Sequence, residues 1–409
     1  MRIAQPVCLI VMFLATPAFA GALYVNEFAT ASQANAGAGR GAWTPDASAA
    51  LHNPAAMTRF DDHAFATGIA AAFGVVEFDP DSSSPSGTKD GGNQAGFAPL
   101  ASFTYIHKVS DRIRFGLSFF SLSGSILDPK NDWAGRFELE NISLLTISIA
   151  PNIAFQVTDW LSIGGGPIAT YGTLNWDLSV ALPGPGGNET ELQLNDLDDW
   201  EPAGRVGILF HPNEQIAVAV NWQSKVDFEL DGSIDLPGGG VGTSLSTELP
   251  LPQVVEVNAY WQATDRLALL AIFNWEDWSE ADKLAISVGG LSISGTTGFR
   301  DTFKIGVGAN ILAAKDWLIQ TGITFDTAGL KDSDRTTALP VDSQIRAAVG
   351  ARYRLKPSTT LGFSFVYINL GEGNVSNPTV SGDYKRNHAF VFGLTLDFSE
   401  LWWAGRGTL

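Results

Sequence analysis

Beyond about residue 63 the chain alternates with a period of two. Phe115, Leu117 and Phe119 alternate with Gly116 and Ser118, and Leu145, Ile147 and Ile149 with Thr146 and Ser148. Ile216, Val218, Val220 and Trp222 alternate with Ala217, Ala219 and Asn221, and Phe303, Ile305, Val307 and Ile311 with Lys304, Gly306, Gly308 and Asn310. The same rhythm runs through Ile345–Leu355 and closes with Phe390, Phe392, Leu394, Leu396 and Phe398 on one apolar face. One face is greasy and the other small or polar, which is how half-buried strands read.

The connections decide what the greasy face touches. Six are tight, at 110–112, 158–160, 212–215, 264–266, 315–317 and 356–359. Between them lie seven longer segments rich in Gly, Pro, Asp and Ser, near 79–97, 127–141, 182–200, 232–249, 279–298, 327–341 and 370–386. Seven long loops and six short turns join 14 strands. Short turns at one end and long loops at the other predict an all-β fold, a 14-stranded antiparallel outer-membrane β-barrel. In lipid only a closed barrel satisfies every backbone group while showing an apolar exterior. Trp160 and Trp317 follow their turns, and Trp222, Trp261 and Trp275 lie in or near strand ends, as interfacial girdles would. Several runs exceed the roughly 9–11 residues that cross a bilayer, so the barrel is expected to project past the outer surface.

Residues 1–20 read as a cleaved signal peptide: Arg2, an apolar core over Val7–Ala15, and Ala18-Phe19-Ala20 before the cut. The single cysteine, Cys8, lies inside it, so the exported chain would carry no thiol chemistry. The composition, 45% hydrophobic and 17% charged, is too apolar for a disordered chain and poor in charge for a soluble surface. A formal charge of −18 excludes a nucleic-acid-binding surface as the main purpose. Acids crowd the long segments, for example Asp196, Asp198 and Asp199. They read as a solvated face, with a divalent-cation site as the alternative. The five histidines, His52, His63, His107, His211 and His388, are scattered, and neither Gly-x-Ser-x-Gly nor His-Glu-x-x-His occurs, so no enzyme and no cofactor are expected.

Residues 21–62 do not alternate. Of the 38 residues from Gly21 to Thr58, 21 are Gly, Ala, Ser or Thr. Such a segment is either a periplasmic tail or a folded lumen plug, and the turn signal Asn53-Pro54 favours a compact object. The domain reading is therefore 1–20 signal peptide, 21–62 plug, 63–398 barrel and 399–409 C-terminal extension.

Asn26-Glu27-Phe28, the small-residue stretch through Gly41, Asp46-Ala47-Ser48 and Leu51 to Met57 resemble the N-terminal hatch of the FadL/TodX family of outer-membrane transporters. Leu249-Pro250-Leu251-Pro252, Trp275 to Ser279, Phe325-Asp326, Leu339-Pro340 and Val349 to Tyr353 are similar to its barrel patterns. Asn53, Pro54 and Ala55 stand at the family's hatch triplet. The resemblance implies a lumen hatch and passive import of long-chain fatty acids or other hydrophobic solutes. It also implies sideways exit at a kink in the third strand, for which Gly124 is the candidate bend. Two features depart from the pattern. Eleven residues follow Phe398, where members usually finish, which weakens recognition by the barrel assembly machinery; the segments at 182–200 and 232–249 are short for a surface capture groove. Outer-membrane lipid and lipopolysaccharide are the expected surroundings, and no nucleic acid is expected.

Parity places Arg114, Arg205, Lys304, Arg346, Arg352, Arg354 and Glu256 on the small, polar, inward face. Arg205, Lys304 and Arg346 lie nearer the loop end and are candidates to grip a carboxylate head group, since arginine does so bidentately. The competing reading pairs these cations with Glu27, Asp46 and Asp61 of the hatch or with Glu256. Rival functions are a general diffusion porin and a structural or adhesive surface barrel.

Overall fold

The computed structural model describes residues 27–130, 132–181, 189–236, 240–289 and 291–399. The expected leader, and all of the expected C-terminal extension except Ser399, lie outside the described residues. Fourteen antiparallel strands close into a barrel. They are β1 (Ala64–Pro80), β2 (Phe97–Lys108), β3 (Ile113–Phe120, then Gly124–Leu127), β4 (Asn141–Gln156), β5 (Leu161–Ala181), β6 (Glu189–Asn213) and β7 (Ile216–Gln223, then Val226–Leu236). The second half comprises β8 (Gly240–Leu251, then Val254–Thr264), β9 (Leu267–Glu276, then Lys283–Val288), β10 (Leu291–Thr296, then Thr302–Ala314), β11 (Trp317–Asp326), β12 (Gln344–Lys356), β13 (Thr359–Asn369) and β14 (Ser381–Phe398). A two-residue segment, Val375–Ser376, pairs with β14 in the last loop.

Closure runs through β1 and β14, in register from Phe65↔Phe398 to Pro80↔Gly382 with one bulge beside Glu77. The outward row is apolar: Ile69 and Ile305 are 61% and 62% exposed, and Phe73, Phe273, Val349 and Phe392 stand in the same band. Exposed apolar surface on this scale belongs in lipid, because a soluble monomer rarely shows a patch beyond a few hundred Å². Trp160, Trp261 and Trp317 rim the short-turn end, and Trp200 and Trp222 stand farther along their strands.

Three of the segments expected to be loops are strands. Of the regions 182–200, 232–249 and 279–298, the described residues 189–200, 232–236, 240–249, 283–288 and 291–296 are strand, in the tall hairpins β5–β6, β7–β8 and β9–β10. Their charge density hides the alternation, and their apolar residues point the other way. In β7 the lower outward residues are Ile216, Val220 and Trp222, all exposed. Past the break at 224–225, Val226, Phe228, Leu230 and Ile234 are buried inside. In β6 the same inversion occurs at a bulge on Asp196, which takes φ +54°, and Leu192, Leu194 and Leu197 are buried above and beside it. Lipid surrounds the lower wall and water the upper wall, so the oily face moves from outside to inside between them.

Three outer loops are tied together at Glu138. Thr337 donates to Glu138 Oε2 from its backbone N at 2.7 Å and its Oγ1 at 3.0 Å, and Asn377 Nδ2 donates to Oε1 at 2.8 Å. Burial raises this carboxyl above the ordinary 4.5, against those hydrogen bonds, which lower it. A raised acid favours the closed loops when protonated, so closure weakens as pH climbs from 4.5 through the raised value. Limited proteolysis checks this. Cleavage within 327–343 should be slower near pH 4.5 than at neutral pH, and that difference should vanish in Glu138→Gln.

Candidate functional site

The N-terminal segment is folded and almost wholly buried from Ala29 to Phe60. It forms a 3₁₀ turn at Ala31–Asn35, a short α1 at Ala49–His52 and a second 3₁₀ turn at Pro54–Arg59. Asn53 caps that last turn, its Oδ1 accepting from Ala55 N at 2.9 Å with Pro54 in the first helical position. Its Nδ2 donates to Ile208 O of β6 at 3.0 Å. The Asn53, Pro54 and Ala55 triplet thus ends α1, starts the next turn and docks both on the wall.

The wall receives the segment on glycines. A Cβ on Gly68 would lie 1.9 Å from Ala29 O, on Gly207 2.0 Å from Asn53 Oδ1, and on Gly322 2.1 Å from Asn35 O. Gly164 meets Pro54 and Ala55 backbone at 2.7 Å, Gly116 meets Met57 Sδ at 2.2 Å, and Gly350 meets Ala34 Cβ at 2.4 Å. These six glycines lie on six different strands, so the inward small residues of the alternation are a seat shaped for this segment.

Charges fasten it. Arg352 Nη1 and Nη2 donate to Asp46 Oδ2 and Asp397 Oδ2, both at 2.6 Å, with all three groups nearly inaccessible. Arg40 Nε donates to Glu256 Oε2 at 2.7 Å and its guanidinium lies 5.6 Å from the Phe28 ring centroid. Arg114 Nε donates to Phe60 O at 2.7 Å. His52 sits between Thr30 Oγ1 (3.0 Å) and Ser32 Oγ (3.1 Å). Burial first, then Arg40 and Arg205, hold this imidazole well below its usual value, so it is neutral.

A cavity of about 50 Å³ remains between segment and wall. Phe28, Leu51, Phe120, Leu122 and Val254 form its apolar side; Arg40, Asn221, Asn274, Glu256 and Glu276 form the polar side. The apolar side abuts an interruption of the wall. The β2–β3 ladder stops at Phe103↔Phe119, and β3 breaks at 121–123 before resuming on β4 alone, from Gly124↔Leu145 to Leu127↔Ile142. An isolated bridge, Ala95↔Leu127, rejoins the sheet above. Thr146 Oγ1 holds the break by accepting from Leu122 N at 3.1 Å and Ser123 N at 2.8 Å. Residues 97–102 therefore face no ladder partner on β3.

Over residues 11–399 the chain matches the family described as "Outer membrane protein transport protein (OMPP1/FadL/TodX)". The chain belongs to this family of outer-membrane transport proteins. It is 25% identical to the long-chain fatty acid transport protein of Salmonella typhi over 405 residues, 89% of this chain and 92% of that protein. The fold is that of a Pseudomonas aeruginosa FadL homologue, with a TM-score of 0.86, 21% identity and coverage of 93% of this chain and all of that one. The Pseudomonas putida toluene transporter TodX superposes with a TM-score of 0.72 at 13% identity, covering 93% and 100%.

Within this family framework the three candidate head-group residues already have partners. Arg205 Nε donates to Asn152 Oδ1 at 2.9 Å, while its Nη atoms donate to Ala50 O (2.8 Å) and Leu51 O. It thereby collects carbonyls at the end of α1. Arg346 Nε donates to Glu27 Oε1 at 3.0 Å, with Asp326 and Gln344 on its Nη atoms. Lys304 Nζ lies 3.8 Å from Asp326 and 4.0 Å from Glu276. Lys304 and Arg346 share Asp326, and Arg205 stands apart from them against Phe120. Gly124 starts the resumed half of β3, one residue beyond the break, and a Cβ there would meet only Leu144 O at 3.5 Å. The bend itself is made by Ser121, Leu122 and Ser123.

Sequence reasoning missed Arg40 and Thr146. A lone cation within Gly39-Arg40-Gly41 was a usable signal, because a buried arginine demands an acid. Thr146 carried none; it reads as any polar strand residue. Asp196, Asp198 and Asp199 do not converge: Asp196 and Asp198 are exposed, and Asp199 accepts from Glu229 N at 3.0 Å. Among the described residues no three His, Cys, Asp or Glu side chains are arranged to hold a metal.

Proposed function

We propose that the protein imports long-chain fatty acids or hydrocarbons, passively, past an N-terminal hatch and out sideways between β2 and β3. The observation that carries this is the meeting of an amphipathic lumen cavity with a stretch of wall lacking its ladder. A long alkyl chain gains about 0.8 kcal/mol per buried CH₂ and so follows apolar surface. Such surface is continuous here: the buried outer core joins Leu192, Phe228 and Leu251 to Phe120, Leu122 and Val254 beside the break. The cavity of about 50 Å³ is far below the roughly 300–1,000 Å³ of small-molecule sites. Passage therefore requires the segment 27–60 to shift, and the hatch is the moving part.

For an acid solute the head group would meet Lys304 and Arg346, exchanging with Glu27 as partner of Arg346 and loosening the start of the hatch. Arg205 has another duty, holding α1. Uptake assays in cells with a labelled fatty acid and a neutral hydrocarbon test this. Lys304→Ala with Arg346→Ala should lower fatty-acid uptake roughly tenfold or more, as the loss of a charge-assisted hydrogen bond implies, and should spare the hydrocarbon. Arg205→Ala should affect both solutes alike. Equal loss of both in the Lys304/Arg346 variant would show that these residues serve the hatch and read no head group.

A further inference from the structure

The outward wall carries a hollow where a barrel should be convex. It spans β11 to β2 by way of β12, β13, β14 and β1, is open on its outer side, measures about 1110 Å³, and is lined by Ile69, Phe97, Val349, Phe363, Phe392 and Leu394. Ile69, Phe97, Val349, Phe363, Phe392 and Leu394 are also among the exposed apolar side chains of the lipid-facing band. Aromatic rings run along it, with Phe73 against Phe97 at 5.3 Å and Phe365 against Phe392 at 5.1 Å.

The N-terminal segment packs against the other side of the same wall. Here the first 3₁₀ turn of the N-terminal segment presses on Gly350 through Ala34, and Gly393 through Gln33, whose Nε2 would lie 2.6 Å from an added Cβ. Gln33 Nε2 donates to Ser364 Oγ at 3.0 Å, and its Oε1 accepts from Ala29 N at 3.1 Å. Gly350, Ser364 and Gly393 thus line the hollow on one side of the wall and meet the segment on the other.

We propose that this hollow is a binding site for an acyl chain of an outer-membrane phospholipid, and that its occupancy is coupled to the seating of the N-terminal segment. The occupant follows from position and lining. The hollow is continuous with the lipid-facing surface, its walls are hydrocarbon and aromatic, and no cation stands in it to read a phosphate. Because one layer of backbone separates chain and segment, a filled hollow and a seated segment favour each other by the same factor. The site stands whether or not the barrel carries fatty acids.

The full chain in vesicles of phosphatidylethanolamine, a fraction of it bearing a mid-chain diazirine, tests this. Photolabel should concentrate several-fold on peptides from β1, β13 and β14 over the outward faces of β5 to β8. Filling the hollow with Ala71→Leu, Ala101→Leu and Ala351→Leu should bring labelling down to that background. The same change elsewhere on the lipid face, Ala169→Leu, Ala259→Leu and Ala309→Leu, should leave it intact. Gln33→Ala should reduce it in part, through the seat alone. Uniform labelling around the barrel overturns the proposal. So does labelling of the hollow that a free fatty acid abolishes at sub-stoichiometric lipid exchange, which would make it a solute site, or a dimeric mass in mild detergent with that face protected, which would make it an interface.

Discussion

Gly322→Val is expected to unseat the N-terminal segment and open a steady ionic conductance in a planar bilayer where the parent protein shows little. The added Cβ would lie 2.1 Å from Asn35 O and 2.4 Å from its carbonyl carbon, both backbone atoms that cannot rotate away. Asn35 has little freedom to yield. Its Nδ2 donates to Asn310 Oδ1 and Thr321 O at 3.0 Å, and its Oδ1 accepts from Gln320 Nε2 at 2.7 Å. Overpacking of this kind costs about 1–3 kcal/mol, more where backbone meets backbone. The φ of Gly322 is not in the left-handed region, so valine suits the strand itself and the effect is steric. Gly204→Val is the control, because nothing lies within 4 Å of its added Cβ. A closed, silent Gly322→Val barrel would mean that the glycine seat does not hold the segment.

Arg352→Met should be the most damaging single change in the lumen. It strands Asp46 and Asp397, whose side chains are 2% and 1% exposed, without their shared cation. Removing one partner of a buried ion pair costs about 3–5 kcal/mol, chiefly by leaving charge uncompensated. The expected result is a lower melting temperature and rapid proteolysis of residues 27–60, with the barrel itself still formed, since its ladders are untouched. Adding Asp46→Asn and Asp397→Asn should recover most of the loss, because no unpaired charge then remains. If the triple variant is as unstable as the single one, the contribution of Arg352 is packing against Trp43, whose ring lies 5.9 Å away, and charge is secondary.

Legibility along the chain followed how local the physical cause was. The lower barrel was readable because lipid on one side and a crowded lumen on the other impose a strict period of two on every strand, as in Ile305, Val307 and Ile311. The tall hairpins escaped because their oily face turns inward behind acids such as Asp227, Glu229 and Asp231, and charge density looks like loop. The inward cations were found by parity, yet parity could not say that Arg205 would collect the carbonyls of Ala50 and Leu51 while Arg346 met Glu27. The expected bend at Gly124 lies beside the observed break at 121–123, but the group that holds that break, Thr146 one strand away, has no signature in the sequence.

By itself, then, the sequence determined the closed barrel, its membrane setting, the 14 crossings and the presence of a separate small-residue segment ahead of them. These follow from periodicity and solvent, which act residue by residue. Tertiary structure alone decided which glycines form the seat, which acid each arginine meets, where the wall loses its ladder and where its outer face hollows. Those are properties of side chains hundreds of positions apart brought within a few ångströms, and no spacing along one chain records them.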